Sequence, residues 1–123
     1  MTFQDLLAYQ KSFDLALKIF KITKLFPKEE MYSLTDQIRR SSRSVTVTIA
    51  EAYRKRDYPK HFHSKLTDSD AENSETQVCL SFALKCDYIN QDLHEELTNQ
   101  SIEIGKLINF MILNPTKFGV INQ

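Results

Sequence analysis

From Gln37 to Arg56 the chain reads QIRRSSRSVTVTIAEAYRKR. Wound at about 100° per residue, this stretch separates into two faces. Ile38, Val45, Ile49 and Ala52 fall on one stripe, extended upstream by Met31 and Leu34, while Arg39, Arg40, Arg43 and Arg54 fall opposite. The run SVTVTIA alternates like a strand, and Val45, Val47 and Ile49 are good strand formers. The helical stripe from Met31 to Ala52 outlasts that alternation, so the spacing predicts a helix over about 29–54. Val47 then lands among the arginines, which predicts that this face too is partly covered.

Upstream, a helix is predicted over about 3–25, with Phe3, Leu6, Phe13, Leu17 and Phe20 as its core stripe. Leu15, Ile19, Ile22 and Phe26 form a second stripe on the far side. A helix apolar on both faces is usually buried on both, and a small domain has too few layers to cover the second. Leu15, Ile19, Ile22 and Phe26, with Val47, are therefore the expected interface of a homo-oligomer. Pro27 stops this helix, and Lys28-Glu29-Glu30 opens the next with first-turn acids.

Beyond the KRDYPK turn, a third helix is predicted over about 60–89. Phe62, Leu66, Leu80 and Leu84 lie on its stripe, with polar Ser69, Asn73 and Gln77 between them. An acidic ridge of Asp68, Glu72 and Glu75 runs beside it. A fourth helix over about 92–113 carries Leu93, Leu97, Ile104, Ile108 and Met111, and Asn114-Pro115 ends it. Residues 1–115 thus read as one all-α domain, an antiparallel up-down-up-down four-helix bundle, followed by a loose tail over 116–123 whose Phe118, Val120 and Ile121 could dock.

Composition supports that class. The chain is 41% hydrophobic and 26% charged, and its only two glycines come late, at Gly105 and Gly119. Neither a glycine-rich phosphate loop nor a glycine-turned hairpin can be built upstream of them. The formal net charge of zero hides a segregation: eight Lys and Arg stand against Glu51 and Asp57 from Gln37 to Lys65, and nine Asp and Glu against Lys85 from Leu66 to Glu103. A general polyanion binder would be basic overall. Arg39, Arg40 and Arg43 are therefore expected to meet carboxylates, with Glu51, Asp68, Glu72 and Glu75 as candidates in the same subunit or the next. A phosphate backbone is the alternative.

The richest nucleic-acid patch is Tyr53, Arg54, Lys55, Arg56, Tyr58, Lys60, His61 and Lys65, where bases can stack on tyrosine while cations hold phosphates. The competing reading is a solvated loop. No Glu-x-x-His pattern supports a carboxylate-bridged metal centre, and no histidine lies near Ser41, Ser42 or Ser44 to activate a nucleophile. No catalytic residue, metal, cofactor or small-molecule substrate is expected. With no run of about 18 apolar residues, no membrane span is expected either. Cys79 and Cys86, about 10 Å apart along one helix axis, are too distant to bridge. Free thiols and the absence of a signal pattern in MTFQDLL point to the cytoplasm.

Phe26-Pro27, Gln37, Arg39-Arg40, Ile49-Ala50-Glu51, Glu75-Thr76 and Tyr88-Ile89, taken in order, resemble the pattern of the 23S rRNA intervening-sequence proteins. The resemblance runs nearly to Asn114. Members commonly carry Gly where Ala52 and Asp87 stand, and often Trp in place of Cys79. The resemblance implies a left-handed bundle assembling as a ring, typically a pentamer. It also implies kinship with the accessory variability determinant of diversity-generating retroelements, a basic ring that binds nucleic acid and reverse transcriptase. The expected function is a ring-forming, non-enzymatic accessory protein associated with RNA or a nucleic-acid-processing protein. A scaffold for a protein partner with no nucleic-acid role is the alternative.

Overall fold

The computed structural model describes residues 1–121. Four helices carry the fold: α1 Leu7–Thr23, α2 Leu34–Arg54, α3 Pro59–Lys85 and α4 Gln91–Leu113. No strand occurs among the described residues. Consecutive helices pack side by side through short links, and α1 closes against α4, giving a four-helix bundle.

Chain chemistry explains where the helices start and stop. The helix expected from residue 3 is broken: Phe3–Asp5 forms a 3₁₀ turn held by a Thr2–Asp5 capping box, and Leu6 is extended before α1 begins. Pro27 likewise leads into a 3₁₀ turn at Lys28–Glu30, so α2 starts five residues after the predicted position of 29. Pro59 opens α3, where its missing N–H costs nothing. Asn90 caps α4 by accepting a 2.8 Å bond from the Leu93 amide.

The end of α3 falls short of residue 89. Asp87 adopts a left-handed conformation at φ 62°, while the Tyr88 amide donates to the Ala83 carbonyl (2.9 Å) and the Asp87 amide to that of Leu84 (3.0 Å). This is a Schellman termination, which usually selects glycine. The tail also differs from expectation. Pro115–Phe118 forms a 3₁₀ turn, Phe118 packs edge-on against Phe110 at 6.0 Å, and Val120 is buried. The last two positions of the tail lie outside the described residues.

The core draws Leu15 and Ile19 from α1, Ile38, Val45 and Ile49 from α2, Phe62, Leu66 and Leu80 from α3, and Leu97, Ile104 and Ile108 from α4. A layer of small polar side chains crosses it. The Thr46 hydroxyl donates to Ser12 Oγ (2.9 Å), Ser41 and Thr76 share a 2.8 Å bond, and Ser69 donates to the Val45 carbonyl (2.9 Å). Asn73 and Ser101 exchange two bonds of 2.8 Å. These pairings explain how Ser69 and Asn73 occupy a core stripe: each is satisfied across a helix contact.

Candidate interaction groove

The two apolar stripes of α1 are placed opposite to expectation. Leu15 and Ile19 are 3% and 1% exposed, Phe26 is buried and Ile22 is half-buried, all within the subunit's own core. Leu15, Ile19 and Phe26 are thus taken up by the subunit's own core, and of the five residues assigned to an oligomer interface Val47 is exposed and Ile22 half-exposed. Phe13 and Leu17, assigned to the core, are instead 45% and 46% exposed. The polar layer decides the facing. Ser12 and Thr23 share the stripe of Leu15 and Ile19, and both find partners on α2 only when that stripe turns inward. The hydroxyls of Ser12 and Thr23, set against the polar groups of α2, are the signal in the sequence that could orient the stripe.

Turning the stripe inward leaves the aromatic one over a groove between α1 and α2. This apolar cleft of about 700 Å³ is floored by Phe13, Leu17 and Phe20 from α1 and by Val47 and Ala50 from α2. Its rim is cationic, with Arg43 at one end and Arg54 and Lys55 at the other. At the first end three cations surround one ring. The guanidinium carbons of Arg39 and Arg43 lie 4.7 and 5.4 Å from the centroid of Phe20, and Lys24 Nζ lies 4.8 Å from it. Arg39 Nε also donates a 2.8 Å bond to Thr23 Oγ1, fixing the guanidinium against α1.

This geometry excludes the predicted ion-pair network within one subunit and leaves its pairing with the next subunit as a proposal. Arg39 and Arg43 reach toward α1, whereas Ser41 meets Thr76 of α3 on the other side of α2. Helix α2 itself therefore separates these arginines from Glu72 and Glu75. Among the described residues the ion pairs are Arg40–Asp36 and Lys65–Glu51, each at 3.7 Å. Among the described residues no cation pairs with the acidic ridge. Partial burial, then the neighbouring Glu75 and Asp68 charges, raise the pKa of Glu72.

The predicted nucleic-acid patch is brought together only in part. Tyr53 is buried, and the Arg56 guanidinium carbon stacks 3.7 Å above its ring. The tail closes over Arg56 from the other side, where a Cβ added to Gly119 would stand 3.4 Å from Arg56 Cδ. Lys65 pairs with Glu51. Arg54, Lys55, Tyr58, Lys60 and His61 stay exposed, with Tyr58 edge-on to His61 at 5.9 Å. Turn composition could not reveal that an arginine would pack on a tyrosine three residues before it.

Among the described residues no three of His, Cys, Asp and Glu gather closely enough to hold a metal. Burial pushes the Cys79 thiol up to about 11, which leaves it protonated and a poor nucleophile at neutral pH. No helix among those residues is long and apolar enough to cross a membrane.

The family model for the 23S rRNA-intervening sequence protein matches residues 4–110, which reach into all four helices and take in most of the groove lining. The chain belongs to that family. No curated protein matches it. A solved crystal structure of a protein of unknown function from the S23 ribosomal protein family of Bacteroides thetaiotaomicron is similar, with 29% identity and a TM-score of 0.78. The likeness covers 86% of this chain and 95% of that one. This intervening-sequence family protein therefore shares its bundle with a solved relative that carries no assigned activity.

Proposed function

We propose that this member of the family is a non-enzymatic accessory scaffold that self-associates through the α1/α2 groove. One observation carries the reading: Phe13, Leu17 and Val47 form a contiguous exposed apolar floor, rimmed by Arg43, Arg54 and Lys55. Monomers seldom leave such a surface open, and an apolar centre inside a largely cationic rim, where Glu51 is already paired with Lys65, is the anatomy of a docking site. The thiol character of Cys79 and the free, exposed Cys86 support a reducing compartment such as the cytoplasm. Ring closure, typically with five subunits, is what the family resemblance adds to this reading.

Light scattering at micromolar concentration should give a mass several times 14.4 kDa. Leu17→Glu, which places a charge on the apolar floor, should return the mass to that of the monomer with helical circular dichroism unchanged. A native chain that runs as a monomer would overturn the reading.

A second reading has its own observation. Lys55 and Tyr58 of the α2–α3 turn and Lys60 and His61 at the start of α3 remain exposed, joined by Arg54 at the end of α2. Copies of that turn around an assembly would offer RNA several weak phosphate contacts acting together.

A further inference from the structure

The groove needs an occupant whose charge is opposite to its rim and whose centre is apolar, and the bundle presents such a surface on its own α3. Asp68, Ala71, Glu75, Val78 and Phe82 are all exposed along one outward face of that helix, with Glu72 at its edge. Val78 is 55% and Phe82 59% exposed, large apolar side chains with nothing over them. Among the described residues the acids beside them meet no cation, and Arg39, Arg43 and Lys24 meet no carboxylate.

Resting on the self-association reading, we infer that the α1/α2 groove of one copy receives the outer face of α3 from a second copy. Glu72 and Glu75 then meet the Arg39–Arg43 end, and Val78 and Phe82 lie over Leu17, Phe13 and Val47. The lengths agree: Glu72 to Phe82 spans about 15 Å of helix, and Arg43 to Arg54 spans about 16 Å of the groove wall. The direction follows from the charges. The Phe20 end holds three cations and no acid, whereas the other end includes Glu51, already engaged by Lys65. The acids of α3 therefore go to the Phe20 end, which sets α3 of one copy parallel to α2 of the next.

The two surfaces lie on different sides of the bundle, so the contact is heterologous. Each copy gives its α3 to one neighbour and its groove to another, and such contacts propagate into a ring when the rotation closes. Pairing the acids with guanidinium groups would offset the mutual repulsion they carry in the lone subunit.

Charge reversal tests the pairing, because Arg43 and Glu75 are both exposed and neither packs in the core. Glu75→Arg and Arg43→Glu should each raise the dissociation midpoint about tenfold or more in sedimentation or light scattering. The chain carrying both reversals should recover the native mass. Circular dichroism reports whether each variant keeps its helices. If a reversal costs helicity, Arg43→Gln and Glu75→Gln replace the pair, and their double-mutant cycle should be non-additive. An oligomer that ignores both reversals, or a double reversal that fails to restore assembly, overturns the inference while leaving self-association standing. A native monomer removes both.

Discussion

The Tyr88 hydroxyl donates a 2.7 Å hydrogen bond to Glu30 Oε2, tying the end of α3 to the turn that opens α2. The other oxygen of Glu30 accepts from the Ser33 hydroxyl (2.6 Å) and the Leu34 amide (3.3 Å). One carboxylate thus caps a helix and anchors a second one 58 residues away in sequence.

Protonation of Glu30 or ionisation of Tyr88 should loosen this tie. Bonds from Ser33, Tyr88 and Leu34 hold the Glu30 carboxyl below its ordinary 4.5, so its contribution is present above that value and is lost as pH falls through the folded value. The bond to Glu30, with partial burial and that same charge, pushes Tyr88 from 10.0 up to about 12. Its contribution is complete below pH 10 and is lost as pH rises toward 12. An absorbance titration of the five tyrosines should show a late component that vanishes in Tyr88→Phe. In Glu30→Gln the same component should move back toward the ordinary range.

Asp87 holds a conformation that glycine adopts without cost. Its side chain is exposed and, among the described residues, accepts no bond that would offset the strain. Asp87→Gly should stabilise the subunit by about 0.5–1 kcal/mol, after allowing for the extra freedom glycine gains when unfolded. Thermal unfolding should shift upward by about 2–5 °C. A decrease would mean that Asp87 is held by a contact outside the subunit.

The stability of α1 should follow its observed facing rather than its hydrophobicity. Ile19→Ala opens the core and should cost about 2–5 kcal/mol, while Leu17→Ala on the exposed stripe should change the lone subunit by less than about 0.5 kcal/mol. Urea unfolding well below the assembly concentration separates the two. Equal losses would contradict the placement of Leu15 and Ile19 inside.

The four helices were legible because periodicity and punctuation agreed: Pro27, Pro59 and Asn90 sit where the helical stripes stop or restart. Facing was not, because α1 carries two stripes of similar hydrophobicity and the choice depends on hydroxyl partners from α2. Charge segregation was visible as well, but its partners were not. A helical wheel places Arg39 and Glu72 on separate helices without saying that α2 will hold its arginines toward Phe20. The patch at 53–65 failed in part for a similar reason, since Arg56 stacks on Tyr53 rather than facing solvent.

That stacking sharpens the test of RNA binding. Of the cations in the turn, Arg56 lies between Tyr53 and the tail, and Lys65 faces Glu51, so Arg54, Lys55 and Lys60 remain for phosphate. Each phosphate neutralised contributes about 0.7–0.9 to the slope of log affinity against log salt. Lys60→Ala should therefore lower that slope by about this amount per engaged subunit, whereas Arg56→Ala should leave it alone and reduce thermal stability through lost packing on Tyr53. Tyr58→Ala should weaken single-stranded RNA by about 1–3 kcal/mol per stacked base and duplex RNA far less. Filter binding with a structured RNA across a salt series reads all three. Equal slopes for Lys60→Ala and the native assembly would place the contact elsewhere, and no affinity at low salt would leave the scaffold reading alone.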